Sequence, residues 1–209
     1  MIRAENNAEH WQRIYAQKAP EEVSWYEQEP AMSLRLIRRL SPNPATKIID
    51  VGGGQSLLVD GLLNSGYSEL TVIDIASAAL AQAKQRLGAK ASGVHWQVAD
   101  IRDFRLHHTY DLWHDRATFH FLTDGQDVSH YVQQAAKHLV PGGTLLLATF
   151  AEDGPESCSG LKVSRYCAKR LAEAFAPAFT PVEDWKQDHL TPAGAHQSFT
   201  WCVFRRLKR

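Results

Sequence analysis

The stretch IIDVGGGQSLLVD, residues 48–60, places three consecutive glycines directly after a short apolar run that contains an acid. The apolar run indicates a buried β-strand, and the residues after the glycines are typical of a helix. Consecutive glycines in such a turn indicate that something lies close against the backbone. The sequence therefore predicts a strand, a glycine loop and a helix, with a ligand at the loop.

Strand-like and helix-like segments alternate on both sides of this unit. Strands are predicted at 47–51, 70–75, 94–100, 110–115, 144–150, 179–185 and 198–205, and helices at 8–17, 31–40, 55–65, 77–87, 128–139 and 163–175. Ser77 is predicted as an N-cap, and Pro-Gly-Gly at 141–143 as a turn. Repeated βα units imply an α/β fold with a doubly wound, mostly parallel sheet and helices on both faces. Ligands bind such sheets beyond the carboxyl ends of the strands.

Composition limits the class of protein. The chain has 209 residues, which fits one domain, and 23 basic residues balance 23 acidic ones, so no overall field attracts nucleic acid or a membrane. Three cysteines without a CxxC pattern suit a reducing compartment. The first ten residues contain no apolar signal region, and no stretch approaches the roughly 20 apolar residues that span a bilayer. We expect a soluble cytoplasmic protein.

The glycine loop does not match the two common phosphate-binding patterns. A P-loop requires a lysine that is absent here, and a dinucleotide loop requires a glycine where Leu57 stands. Asp50 would also repel a pyrophosphate at the start of the following helix. The loop therefore favours a ligand that carries positive charge and no phosphate.

Two further acids end the next two predicted strands. Asp74 is placed to accept both hydroxyls of a ribose, and Asp100 is placed to accept a hydrogen bond from the amine of adenine. Any one such acid is more often a turn residue, but three on successive strands indicate a shared site. Together with the loop they indicate a nucleoside that carries a sulfonium and an ammonium group.

The ordered motifs IIDVGGG, LTVIDI, VADI, YDLWHDRATFHFL and LVPGGTLLLATF resemble those of the class I S-adenosylmethionine-dependent methyltransferases, over about residues 45–205. The resemblance implies a Rossmann-like sheet of seven strands whose last strand is antiparallel, and S-adenosyl-L-methionine as cofactor. It implies cofactor contacts at Asp50, Gly52, Gly53, Gly54, Asp74, Ile75, Asp100 and Ile101. Ser56 stands where the family often has another glycine.

The segment WHDRATFHFL, residues 113–122, lies where the family presents groups to the methyl group and its acceptor. Asp115 and Arg116 are therefore candidates for catalysis and for substrate binding. His114 and His120 are candidate bases, because histidine titrates near neutral pH. An alternative remains open, in which Asp115 and Arg116 form a structural ion pair and the histidines are packed in the core.

Upstream, residues 1–44 are predicted to form a helical lid on a methyltransferase domain at 45–209, the two making one structural unit. Trp25 and Tyr26 could lie over a sulfonium, a cation–π contact of about 0.5–2 kcal/mol, or anchor the core. The lead-in W…Y…WY resembles that of the lysine methyltransferases of elongation factor 1A and citrate synthase. DRATFH resembles their DKGTxD signature, with His120 in place of the last acid, which removes a partner for an ammonium substrate.

The segment GLKVSRYCAKRLAEAF, residues 160–175, resembles the loop and helix of the tellurite-resistance and thiopurine-type small-molecule methyltransferases. Cys158 is either a soft contact for an acceptor or a small loop residue. Arg165 either holds an acceptor carboxylate or caps the surface.

The leading interpretation is a methyltransferase that uses S-adenosyl-L-methionine and acts on a small-molecule acceptor. A protein-lysine methyltransferase is the alternative. An NAD(P)-linked oxidoreductase on the same general fold is disfavoured by Leu57 and Asp50, and a cofactor-binding module without catalysis is a fourth interpretation. No metal site, nucleic-acid partner or membrane contact is expected.

Overall fold

A seven-stranded sheet organises residues 7–208, the part of the chain that the computed structural model describes. In chain order the strands are β1 (Ile48–Val51), β2 (Leu70–Asp74), β3 (Val94–Val98), β4 (Tyr110–Arg116), β5 (Leu139–Phe150), β6 (Ser157–Cys158), β7 (Leu161–Lys162), β8 (Phe179–Leu190) and β9 (His196–Arg206). The sheet has the order β3-β2-β1-β4-β5-β9-β8, and β6 and β7 form a separate hairpin. β9 is antiparallel to both of its neighbours, and the pairs from β3 to β5 are parallel. The predicted sheet, with its antiparallel last strand, is confirmed.

Six α-helices surround the sheet, with short 3-10 turns at Pro20–Glu22, Gly88–Gly93 and Phe119–Phe121. The α-helices are α1 (Asn7–Gln17), α2 (Ala31–Leu40), α3 (Leu58–Asn64), α4 (Ser77–Leu87), α5 (Gly125–His138) and α6 (Ala168–Phe175). Within the described residues, none of these helices is long and apolar enough to span a membrane.

The period-two alternation of the strands divides the core into two layers. Ile48 and Leu112 lie in the layer that α2 and α3 cover, whereas Ile49 and Trp113 lie in the layer that α5 and α6 cover. Because successive strand residues point to opposite faces, an apolar run such as IIDV fills both layers at once. Continuous apolar strands therefore need helices on both faces.

The direction in which the chain crosses the sheet reverses between β1 and β4. From β1 the chain moves outward through β2 to β3 and then returns to β4 on the other side of β1. In register, Asp50 pairs with His114 and Val51 with Asp115. Such a reversal leaves a crevice beyond the carboxyl ends of the strands, which is where doubly wound folds bind ligands.

Three local predictions differ from the structure. Helix α6 begins at Ala168 rather than at 163, because the N–H groups of Val163, Ser164 and Tyr166 bond to other segments of the chain. Pro-Gly-Gly lies inside β5, where the pairing with β4 shifts register. Ser77 does not cap α4.

The cap of α4 comes from another helix. The Gln12 side chain, on α1, accepts a hydrogen bond from the Ala78 N–H at 3.2 Å, and the Ser77 hydroxyl also donates to it. This contact fixes α1 beside the β2 end of the crevice. Residues 1–6 of the predicted lid and Arg209 of the basic tail lie outside the described residues.

Candidate cofactor and acceptor site

The glycine loop after β1 is shaped by contacts within the protein. The N–H groups of Gly52 and Gly53 both donate to the carbonyl of Ile73, which ties the loop to β2. Gly52 has a φ of +70°, and a Cβ added there would overlap the Thr118 side chain. A Cβ at Gly54, which has a φ of +41°, would lie 2.9 Å from the Tyr15 hydroxyl. Close approach of protein side chains therefore requires glycine at both positions.

A chain of buried polar groups orients Asp50. Its carboxylate oxygen Oδ1 lies 2.7 Å from Nδ1 of His114, and Nε2 of that ring lies 2.9 Å from the Ser33 hydroxyl. A carboxylate only accepts, so Nδ1 donates to Asp50, and Nε2 shares a hydrogen bond with the Ser33 hydroxyl. Both ring nitrogens are therefore engaged, and His114 orients Asp50.

Asp74 ends β2 and lines the crevice while being 6% exposed. Its carboxylate accepts from the Ala76 N–H at 2.8 Å, which shapes the turn into α4. Burial raises the pKa of Asp74 to about 7, against the lowering effect of backbone N–H donors. Because this carboxylate lines the crevice, it can also accept hydrogen bonds from the donor groups of a ligand.

Asp100 lines the same crevice, as do Ile75 and Ile101. Arg102 binds its carboxylate through the side chain, with Nε 3.0 Å from Oδ1, and its N–H lies 2.9 Å from the same oxygen. Burial opposes ionisation here, but the hydrogen bonds from Arg102 prevail and the pKa of Asp100 is lowered. Asp100 is thus an ionised acceptor beside two apolar side chains.

Two connected cavities occupy the crevice. The larger, called the main cleft here, holds about 850 Å³, open solvent at its mouth included. It runs from Asp74 and Asp100 to an apolar end lined by Trp25, Phe121, Leu122, Phe150, Cys158 and Phe199. The second cavity contains Asp50, Gly53 and His114. Tyr15, Trp25, Gly52 and Arg116 line both.

Aromatic side chains of the N-terminal segment cover the cleft. The ring centroids of Trp11 and Trp25 are 5.6 Å apart, those of Trp11 and Phe121 are 5.1 Å apart, and Tyr15 lies 6.1 Å from Trp25. Trp25 thus both packs in an aromatic cluster and lines the cleft. Tyr26 lines the second cavity.

Asp115 has the environment of a structural residue. It is fully buried, and its carboxylate accepts from the N–H groups of Thr118 and Phe119 and, at 2.5 Å, from the Tyr131 hydroxyl. Burial raises its pKa to about 6, although these donors oppose the shift. Asp115 thereby fixes the turn after β4. Arg116 pairs with Glu27 rather than with Asp115, because adjacent strand residues point to opposite faces.

His120 is packed in the core behind the cleft wall. Its ring centroid lies 4.6 Å from those of Phe121 and Phe150, and Nδ1 accepts from the Phe150 N–H at 3.3 Å. Burial lowers the pKa of His120 to about 3, so the ring stays neutral at physiological pH. A base with so low a pKa holds a proton poorly.

Arg116, at the end of β4, is the buried cation of the cleft. Nη1 donates to the Trp25 carbonyl at 3.1 Å, Nη2 lies 3.3 Å from the Glu27 carboxylate, and the guanidinium lies 5.1 Å from the Phe199 ring centroid. The residue after it, Ala117, has a φ of +67°. Glycine adopts this left-handed conformation most easily, and the DKGTxD signature that this segment resembles has glycine at this place.

Cys158 and Arg165 have different surroundings. Cys158 is buried at the apolar end of the cleft, and burial raises its pKa to about 11, so it is a neutral thiol. The hairpin that carries it turns at Ser159 and Gly160, both with positive φ, the geometry of a two-residue β-turn. Arg165 instead donates to the Gly154 carbonyl and to Glu156, and it fixes that surface loop.

Sequence reasoning missed several residues of the cleft. Tyr15, Gln197 and Phe199 line it, and Glu27 neutralises its buried cation. The repeated aromatics of the N-terminal segment were a signal for Tyr15. Gln197 and Phe199 lie on the last strand, far from any recognised motif, and their positions depend on the antiparallel return of β9.

Known proteins provide an independent comparison. A family model described as a methyltransferase domain matches residues 48–143. Malonyl-[acyl-carrier protein] O-methyltransferase of Anoxybacillus flavithermus is 29% identical over 195 residues, covering 90% of this chain and 71% of that protein. An eEF1A lysine and N-terminal methyltransferase of Danio rerio is 22% identical over 152 residues, 71% of this chain but 22% of that protein. The solved structure of the N-methyltransferase NodS from Bradyrhizobium japonicum, in complex with S-adenosyl-L-homocysteine, has a TM-score of 0.71 at 18% identity and covers 97% of this chain and 100% of that one.

The fold, the crevice at the β1–β4 reversal and these relatives define a methyltransferase domain. The chain is thus a methyltransferase that resembles the class I S-adenosylmethionine-dependent enzymes, and S-adenosyl-L-methionine is its methyl donor. The residues present fit that cofactor, since buried carboxylates suit its hydroxyl, amine and cationic groups while Ile75 and Ile101 are apolar.

Proposed function

We propose that this enzyme methylates a small molecule that enters the apolar end of the main cleft. The observation that carries the proposal is the continuity of that cleft, which runs from Asp74 and Asp100 to Phe150 and Phe199. One end has the chemistry for a nucleoside, and the other has a closed wall of aromatic side chains. A methyl group held between them reaches only an acceptor small enough to enter.

We assign the cofactor to the strand-end acids. Asp74 accepts the ribose hydroxyls and Asp100 the adenine amine, with Ile75 and Ile101 against the base. Asp50, oriented by His114, takes the ammonium of the methionine part beside Gly52, Gly53 and Gly54. Trp25, with Tyr15, lies near the junction of the two cavities and shields the sulfonium, and Tyr26 lines the second cavity. When bound, the cofactor supplies an electrophilic methyl group on a positively charged sulfur.

The protein's main contributions are alignment and exclusion of water. Holding two reactants in line supplies about 7–11 kcal/mol of the barrier, and departure of the sulfonium charge is favoured in a dry pocket. We assign His114, Asp115 and His120 to positioning rather than to proton transfer, because their polar atoms are engaged or their pKa values are unsuited. The described part of the lid, residues 7–44, closes the pocket through Trp11, Tyr15 and Trp25.

The acceptor class is tested with methyl-labelled S-adenosyl-L-methionine and a cell extract divided by size. We expect label in the small-molecule fraction and release of S-adenosyl-L-homocysteine. A reaction without extract and one with heated enzyme are the controls. Label that enters one protein band and leaves the small molecules unlabelled would contradict the proposal.

A protein-lysine acceptor is the second candidate. Glu21, Glu27, Glu29 and Asp188 line a surface depression that also includes Tyr26 and Trp201, beside the outer side of Arg116. Acidic and aromatic groups of this kind suit a cationic peptide, and the relatives that act on eEF1A lysine lend support. The protein-band outcome of the same experiment would favour this candidate.

We also keep the prediction of a cytoplasmic location. Its support is that Cys158, Cys167 and Cys202 are all free thiols in the structure, as expected of a reducing compartment.

A further inference from the structure

The acceptor end of the cleft contains a cation whose hydrogen-bonding capacity is incompletely used. A guanidinium has five N–H donors in one plane. Among residues 7–208, Arg116 has one hydrogen bond, to the Trp25 carbonyl, and one ion-pair contact, to Glu27 at 3.3 Å. Its side chain is 11% exposed and lines the main cleft. At least two of its N–H groups therefore remain for a ligand.

A second buried polar group lies in the same part of the cleft. Gln197 is 9% exposed and lines the main cleft, yet within the described chain its amide has no hydrogen-bond partner. It precedes Phe199 by two residues on β9, so both side chains lie on one face of the sheet. Arg116 stacks on that same Phe199. The amide and the guanidinium thus line the same cleft as this aromatic ring.

The surroundings of these two groups select the charge and shape of a ligand. Trp25, Phe121 and Phe150 make the wall apolar, and Cys158 is neutral. An acceptor that accepts from the remaining donors of Arg116 gains charge-assisted hydrogen bonds, so it binds better than one that cannot. Planar guanidinium groups bind carboxylates in plane, and Glu27 already neutralises part of the charge, so a singly charged anion fits better than a phosphate dianion.

The three candidate bases in the segment after β4 point the same way. In the described cleft, both nitrogens of His114 are engaged, the Asp115 carboxylate has three donors and His120 is a poor base. An amine or a phenol must lose a proton to become a nucleophile near neutral pH. A carboxylic acid, with an ordinary pKa near 4, is already ionised.

We propose that the acceptor is a small carboxylic acid, that Arg116 and Gln197 bind its carboxylate, and that the product is a methyl ester. The inference rests on the proposed small-molecule function. One carboxylate oxygen forms a bond to the methyl carbon, the carbon–sulfur bond breaks, and its electron pair stays on sulfur. No proton is transferred, so no base is required.

The first test uses the chemical lability of the product. Small molecules labelled by the enzyme from cell extract are treated with mild alkali, which hydrolyses a methyl ester to volatile labelled methanol and leaves N-methyl, S-methyl and ether groups intact. We expect most of the label to become volatile. Alkali-stable label in small molecules would overturn the carboxylate inference while the small-molecule function stands, whereas label in protein alone would overturn that function.

The second test measures binding by calorimetry, with the protein saturated with S-adenosyl-L-homocysteine. The probes are phenylacetate, its neutral analogue phenylacetamide, and the cation phenethylamine. We expect phenylacetate to bind at least tenfold more tightly than either of the others. Equal binding of the acid and the amide would overturn the inference.

Variants identify the residues responsible. We expect Arg116→Gln to weaken phenylacetate binding at least tenfold, while Arg165→Gln, on the surface loop, leaves it unchanged. Glu27→Gln removes the competing anion, so we expect it to tighten phenylacetate binding severalfold. If Arg116→Gln does not fold, the Glu27 variant decides, and unchanged or weaker binding there would overturn the assignment.

Discussion

The two halves of the main cleft are built in different ways. The half that we assign to the cofactor, called the cofactor half, consists of the carboxyl ends of β1, β2 and β3 and the turns that follow them, all between residues 50 and 102. The acceptor half combines side chains from the N-terminal segment, the end of β4, the end of β5, the β6–β7 hairpin and β9. The first half is made by repetition of one local pattern, whereas the second depends on segments that are distant in the chain.

This difference determines how each half is stabilised. In the cofactor half, Asp74 and Asp100 accept from the N–H groups of Ala76 and Arg102, each two residues further along the chain, and His114 orients Asp50. In the acceptor half, Arg116 is held by Glu27 and Phe199, which belong to segments distant in the chain. Acids held within their own turns suit a constant ligand, and side-chain contacts between distant segments can be exchanged one at a time to suit another acceptor.

Replacing Gly52 by Ala tests whether the cofactor half is rigid without its ligand. A left-handed backbone costs a residue with a Cβ about 1–2 kcal/mol, and overlap with Thr118 adds about 1–3 kcal/mol. We therefore expect the free energy of unfolding of the cofactor-free protein to fall by roughly 2–5 kcal/mol, measured by denaturant titration.

Gly66→Ala is the matched control for that variant. Gly66 also has a positive φ, of +89°, but has open space around its missing Cβ, so only the backbone term applies. In a protein that also carries Thr118→Gly, Gly52→Ala should lower the free energy of unfolding about as much as Gly66→Ala does, by roughly 1–2 kcal/mol. If Gly52→Ala left stability unchanged and impaired only cofactor binding, the glycines would serve the ligand alone.

Asp115→Asn tests the boundary between the two halves. An asparagine cannot accept from all three donors of the buried carboxylate, and hydrogen bonds to a charged group contribute about 1.5–3 kcal/mol. We expect a loss of stability of that size at pH 7.5. Turnover of the folded variant in the labelling assay should stay within about threefold of the wild type, because we assign Asp115 to positioning rather than to proton transfer.

Asp111→Asn, at the start of β4, provides the comparison, since Asp111 accepts only an exposed hydrogen bond from the Lys47 N–H. Its effect on both measurements should be smaller. A hundredfold loss of turnover in Asp115→Asn with unchanged stability would restore a catalytic role for this carboxylate.

The same contrast explains what could be predicted from the sequence. The sheet, its antiparallel last strand and the strand-end acids follow from apolar periodicity and from polar residues at fixed places in it, so they were predicted. Helix α6 was predicted five residues too long, because the tertiary bonds of Ser164 and Tyr166 override local helix preference. The surroundings of Arg116 depend on Trp25 and Phe199, each more than 80 residues away in the chain, and no local pattern records such contacts.

The pH dependence of cofactor affinity is a further test of the comparison between the two halves of the cleft. The pKa of Asp74 is raised to about 7 by burial, so the folded cofactor-free protein holds this proton more tightly than the unfolded chain does. That contribution to stability is present at low pH and is lost as the pH rises through about 7. The ionised form, present above pH 7, is the one that accepts two hydroxyl groups. Affinity for S-adenosyl-L-homocysteine should therefore rise with pH, by about tenfold between pH 6 and pH 8 if only the ionised form binds.

Calorimetry at both values of pH measures this change, and Asp74→Asn is the matched variant. Asparagine keeps the oxygen that receives the Ala76 N–H and does not titrate, so its affinity should be lower at pH 8 and nearly constant between the two values. Asp100, whose pKa is lowered by Arg102, should contribute no slope in this window. An equal slope in the wild type and in Asp74→Asn would assign the titration to another group and remove Asp74 from the ribose site. A slope that occurs only in the wild type would locate the pH sensitivity of binding at Asp74, in the cofactor half of the cleft.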